Sequence, residues 1–175
     1  MAAAMSVDVP VITERHVHVT AGALEALDED LVVLTAEERR WGRRRVKTRA
    51  GRELQLALPT GSRLTPGDVL FVGRGWYVRV EPAPEPVLAV RPASFADAVR
   101  LAFEVGNRHF ALAIDGDCLL VPADPAMEQL LTRLGIGFER TERPFAPVAE
   151  RAIGMAGAAI GMARGAIGMA GHHHD

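Results

Sequence analysis

The rhythm of apolar and polar positions changes once along this chain. Up to about residue 82 the apolar residues come in short runs: LVVLT (31–35), RRVKT (44–48), ELQLAL (53–58), VLFV (69–72) and WYVRV (76–80). Leu54, Leu56 and Leu58 alternate with Glu53, Gln55 and Ala57, the two-residue period of a strand with one buried face. Ala50-Gly51, Pro59-Thr60-Gly61, Pro66-Gly67-Asp68 and Gly73-Arg74-Gly75 punctuate the runs as turns. Short strands at this spacing predict a small sandwich or barrel-like all-β module over residues 1–82.

The stretch 81–86, EPAPEP, predicts a stiff extended linker, because alternating prolines lack amide donors and favour polyproline geometry. Beyond it the pattern becomes strand–helix–strand–strand–helix–strand over 83–150. An apolar strand at 87–90 precedes a helix to Val105, capped by Ser94 with Asp97 three residues on and apolar at Ala98, Leu101, Ala102 and Val105. Gly106-Asn107-Arg108 reads as a turn, and His109 then opens a strand in which Phe110, Leu112 and Ile114 alternate. Asp115-Gly116-Asp117 turns the chain into a return strand from Cys118 to Val121. Asp124 and Pro125 start a second helix that buries Met127, Leu130, Leu131 and Leu134 and stops at Gly135, and 136–141 supply the last strand. This order is the ferredoxin-like βαββαβ unit. The fold class expected is α+β: an all-β domain, a ferredoxin-like domain and a C-terminal tail.

The tail, 151–175, carries three seven-residue repeats, AIGMAGA, AIGMARG and AIGMAGH, and ends in His-His-His-Asp. Its six glycines between 152 and 171 cost an isolated helix on the order of 5 kcal/mol relative to alanine, which predicts a flexible arm. The same stretch resembles a membrane span in length and GxxxG spacing, but Arg164 near its centre outweighs its three isoleucines. Met155, Met162 and Met169 read as apolar spacers ahead of soft metal ligands.

Composition narrows the function classes. The net charge of −2 supplies no global field for nucleic acid or acidic lipid. The basic run 39–47 is compensated locally, since residues 1–82 hold 12 Lys+Arg against 11 Asp+Glu. It reads as a solvated strand edge guarded by charge, or as a docking patch for protein or nucleic acid. One cysteine excludes an intramolecular disulfide and suits a reducing compartment. With no basic segment and apolar run at the start, the cytoplasm is the expected location.

The candidate chemistry lies in histidine. His109 is the only one between residues 19 and 171, and it stands at an element junction. One imidazole cannot hold a divalent ion, which takes four to six donors. A two-fold dimer with His109 near its axis doubles the donors, and His172, His173 and His174 on an arm add more. Imidazole suits Ni, Cu and Zn alike. The alternative for His109 is a cap on the helix dipole. His16 and His18 share one strand face but have no further ligand nearby in sequence, and read as structural or surface residues.

From about Val11 to Val148 the chain resembles the urease accessory protein UreE family. The resemblance rests on LTAEERRWGRRRVKTRAGRELQLALPTGSRLTPGDVL, LAFEVGNRHFALAI, and LLTRLG followed by RPFAPVAE. It implies a non-enzymatic nickel metallochaperone with a peptide- or partner-binding N-terminal domain. It further implies a homodimer through the ferredoxin-like domain, with His109 of both protomers binding Ni(II) and His172, His173 and His174 contributing; Zn or Cu would compete in vitro. The implied partners are the accessory GTPase UreG and the urease apoprotein activation complex, with neither membrane nor nucleic acid. Where some relatives carry extra histidines this chain reads Leu120 to Pro125, so an auxiliary site there is not expected. Two rival readings are an enzyme with Cys118 as nucleophile and His109 as base, which lacks an orienting third group, and an RNA-associated module using the 39–47 run.

Overall fold

The computed structural model describes residues 9–15, 19–20 and 22–148. His16, His18, the AIGMA repeats and His172, His173 and His174 lie outside the described residues. The elements run β1 (Val11–Ile12), β2 (Asp28–Leu34), a 3-10 turn (Glu38–Arg40), β3 (Arg43–Lys47), β4 (Glu53–Ala57), β5 (Val69–Val72), β6 (Trp76–Pro82), β7 (Pro84–Val90), α1 (Phe95–Asn107), β8 (Ala113–Asp115), β9 (Cys118–Pro122), α2 (Pro125–Arg133) and β10 (Glu139–Pro144).

The N-terminal strands form two three-stranded sheets, ordered β1-β4-β3 and β2-β6-β5. Leu54, Leu56 and Val46 from the first meet Val32, Leu34, Val78 and Val80 from the second in one buried core. That is the small sandwich the alternating pattern predicts, because each sheet has one apolar face and buries it against the other. Asp30 is buried at the sandwich rim and takes hydrogen bonds from the backbone of Leu31 and Ala50 and from Arg52.

The C-terminal sheet has the order β10-β7-β9-β8, antiparallel throughout, which is the βαββαβ arrangement read from the sequence. Leu88 and Val90 on one face of β7 pack with Leu101, Val105, Met127, Leu130 and Leu131 of the helices. Val87 and Ala89 on the other face pack with Leu120, Cys118 and Phe145. Burial on both faces explains why VLAV is continuously apolar instead of alternating.

Several expected boundaries move. The presumed linker is strand: β6 runs to Pro82 and β7 begins at Pro84, with the single intervening Ala83 donating its N–H to Leu34. The prolines fit because the carbonyls of an extended chain still accept bonds, as Pro86 does from Ala123. The last strand is 139–144 instead of 136–141, because Ile136 and Phe138 pack on the helix-side core before the chain joins the sheet. Arg39, part of the basic run expected to be solvated, is fully buried; its guanidinium donates to the carbonyls of Leu34 and Phe145 and so ties the sandwich to the segment that follows β10. Glu85 adds a second tie by accepting the N–H of Ala36.

Candidate metal centre

α1 starts as its sequence dictates: the Ser94 hydroxyl accepts the N–H of Asp97 at 3.1 Å and donates to the Asp97 carboxylate at 2.7 Å. Its end differs from expectation. The helix continues through Gly106 and Asn107, and His109 does not open a strand; β8 begins only at Ala113. The N–H of His109 bonds to Gly106 at 2.9 Å and the N–H of Phe110 to Val105 at 3.3 Å. These are the two bonds of a Schellman cap, which places His109 at the position requiring a left-handed backbone. Its φ is +59°, the only positive φ at a non-glycine among the described residues.

α2 supplies an internal comparison. There Gly135 bonds to Thr132 and Ile136 to Leu131, the same cap, with Gly135 at φ +69°. Glycine adopts that conformation without a Cβ clash, whereas a residue bearing a side chain is strained by about 1–2 kcal/mol. Phe110 and Val105, the apolar pair that accompanies the cap, pack in the helix-side core and fix the turn. The imidazole is therefore carried, exposed, on a rigid and strained corner.

The dipole-capping alternative is weakened by a neighbour. Arg108 folds back along the last turns and donates to the Glu104 carbonyl at 2.8 Å and to its carboxylate at 2.6 Å. The cation at this helix end is Arg108.

Along α1 only Leu101 and Val105 are fully buried; Ala98 is half-buried, and Ala102, expected in the core face, is exposed. The helix is rotated so that a second apolar row faces outward. Phe95 is 86% exposed, Val99 51% and Phe103 65%, four residues apart and thus on one side of the helix. The sequence reading missed this row, although the spacing 95–99–103 was visible in it. It also missed the strain at His109, whose signal was a histidine standing where α2 has Gly135.

Among the described residues no group of three or more His, Cys, Asp or Glu side chains could hold a metal ion. The carboxylates at the β8–β9 turn are committed: Asp115 pairs with Arg143 at 3.0 Å and Asp117 with Arg91 at 3.2 Å. The Cys118 thiol hydrogen bond, with Arg91 beside it, holds the Asp117 carboxyl below the usual carboxylate range. Cys118 itself is buried in the sheet core while His109 is exposed, an arrangement unlike a nucleophile–base pair. No helix of the described residues is long and apolar enough to cross a membrane.

Comparison with known proteins places this geometry in context. Residues 12–83 match the model of the UreE urease accessory protein N-terminal domain, and residues 85–175 that of its C-terminal domain. The chain is 44% identical over 131 residues to the urease accessory protein UreE of Deinococcus radiodurans, covering 71% of this chain and 84% of that one. It is 40% identical over 126 residues to the UreE of Synechococcus sp. (strain JA-3-3Ab), covering 70% and 85%. Against the UreE of Burkholderia mallei it is 42% identical over 99 residues, covering 57% and 54%.

Proposed function

The chain belongs to the UreE urease accessory protein family, and from that premise we propose that it is a nickel metallochaperone whose cargo site is built around His109 of two protomers. A urease accessory chaperone is not itself a catalyst, and the chemistry required of it is to hold a divalent cation and release it. The observation that carries the reading is the left-handed backbone at His109. Backbone strain persists where surrounding structure over-determines it, and here a core-anchored cap holds an exposed imidazole where glycine would be free of strain.

A single imidazole needs a symmetry mate, and the exposed row on α1 supports one. Covering a Phe or Val side chain contributes about 1.5–3 kcal/mol, so the row is favourable to bury in a homodimer. His109 follows the same helix, so a two-fold axis near its C-terminal end brings two imidazoles together. His172, His173 and His174 then complete the coordination from the tail and leave one at a time when the ion is handed on. In this reading 1–82 is a partner-binding domain, 83–150 the ferredoxin-like metal-binding and dimerisation domain, and 151–175 the delivery arm. The ion is Ni(II), with Zn and Cu as competitors. The recipients are the accessory GTPase UreG and the urease apoprotein complex, in the cytoplasm.

Calorimetric nickel titration of the wild type and His109→Ala at two pH values tests this. Ligating imidazoles must be neutral, so protons compete with the ion and tight binding weakens steeply between about pH 7.5 and 5.5, with proton release on loading. Equal affinities for both proteins would remove His109 from the site.

A further inference from the structure

We infer that the outer edge of β3 is a docking site for an acidic, extended segment of a partner protein, which adds to the sheet as a fourth strand. In the order β1-β4-β3 the strand has a neighbour on one side only among the described residues. The flanking bonds, Leu58 to Gly42 and Thr48 to Arg52, assign the even-numbered residues to pairing with β4. By the alternation of an antiparallel ladder, the N–H and C=O groups of Arg43, Arg45 and Lys47 point away from β4. Their side chains are exposed on one face as well.

The charge on that face is only partly compensated among the described residues. Lys47 lies opposite Glu53 at 3.7 Å, a loose pair, while Arg45 donates to Gln55 and Arg43 stands in register with Ala57, so neither arginine has a carboxylate as its cross-strand neighbour. Along this ladder one carboxylate, Glu53, thus stands against three cations. Charged edges also serve merely to keep sheets apart, and lysine is the usual residue for that. Here two of the three are arginine, which is enriched in protein interfaces where lysine is depleted. Trp41, two residues before the strand, is 50% exposed, with the Arg44 guanidinium 5.4 Å from its ring. Arginine and tryptophan beside an unpaired edge fit a partner strand with a carboxylate at every second position: backbone bonds supply affinity and the alternating carboxylates supply selectivity. Single-stranded nucleic acid would meet the charge and could accept from the edge N–H groups, but it offers the edge carbonyls no regularly spaced N–H donors.

The inference rests on the reading of 1–82 as a partner-binding domain and not on the nickel site, and its test contains no metal, so the two can fail separately. A fluorescein-labelled peptide alternating Glu with Val and Thr is titrated into the full-length protein and followed by anisotropy and by tryptophan emission. Saturable binding that falls at least tenfold with Arg43→Glu/Arg45→Glu, with Arg43→Gln/Arg45→Gln, and with a peptide N-methylated on the edge-facing amides supports the site. Far-UV circular dichroism checks that both variants remain folded. Undiminished binding of the N-methylated peptide would overturn strand addition, and absence of binding at millimolar peptide would overturn the site. An RNA oligomer that displaces the peptide at lower concentration than unlabelled peptide does would assign the surface to nucleic acid instead.

Discussion

Replacing His109 by glycine separates a ligand from a structural cap by the sign of the stability change. The left-handed conformation at φ +59° strains a residue with a Cβ by about 1–2 kcal/mol, and glycine is exempt. Against this, glycine's greater freedom in the unfolded chain costs about 0.4–1 kcal/mol. The cap bonds of His109 and Phe110 come from backbone N–H groups, so they survive the substitution. Arg108 continues to serve the helix end. The net expectation is a neutral to stabilising change of up to about 1.5 kcal/mol, which for a chain of this size raises the melting midpoint by up to about 6 °C. His109→Ala keeps the strain and stays within about 0.5 kcal/mol of the wild type, as surface substitutions do. Both are compared with the wild type by urea denaturation and thermal melting at one protein concentration with a chelator present. In the same pair of variants the tightest nickel site is lost. A destabilisation of 1 kcal/mol or more by glycine would show that the imidazole supports the fold, and the argument from strain would be refuted.

Placing a charge in the outer row of α1, as Val99→Glu with Phe103→Glu, yields a monomer without unfolding the chain, because both side chains are exposed and outside the core. Sedimentation equilibrium at micromolar concentration checks this, and an unchanged mass would move the interface elsewhere. For the sandwich, Asp30→Asn flattens the acid limb of the stability profile. Burial pushes the Asp30 carboxyl up, but hydrogen bonds from Thr48, Arg52, Ala50 and Leu31 together hold it below its ordinary value. Its folded value is thus below the unfolded one of about 3.9; its contribution is complete above that pH and is lost as the pH falls through the lower folded value. Urea midpoints from pH 5 to pH 2 measure it, and an identical slope in the variant would refute the assignment.

The α+β class, the sandwich and the βαββαβ order were legible because period-two alternation, the caps Ser94 and Asp124, and Gly135 are local signals that the tertiary structure respects. What was not legible arises from distant contacts. Arg39 is buried because Phe145, 106 residues away, supplies a carbonyl, which no pattern near residue 39 announces. The EPAPEP stretch became strand because β10 and β2 lie beside it, and an isolated reading assigns prolines to a spacer. Of the candidate site, His109 was picked out by its solitude and by family resemblance. Its left-handed backbone follows from Phe110 and Val105 anchoring the cap in the core, and the outward row of α1 follows from which side of the helix Leu101 and Val105 claim.

The central claim is that two His109 imidazoles share one ion. Native mass spectrometry of the full chain with limiting nickel measures this directly. The account predicts a dimer that takes up one nickel before any other, and that loses this first step in His109→Gly while remaining a dimer. Tight loading of one nickel on each monomer, or an unaltered first step in the variant, would contradict it.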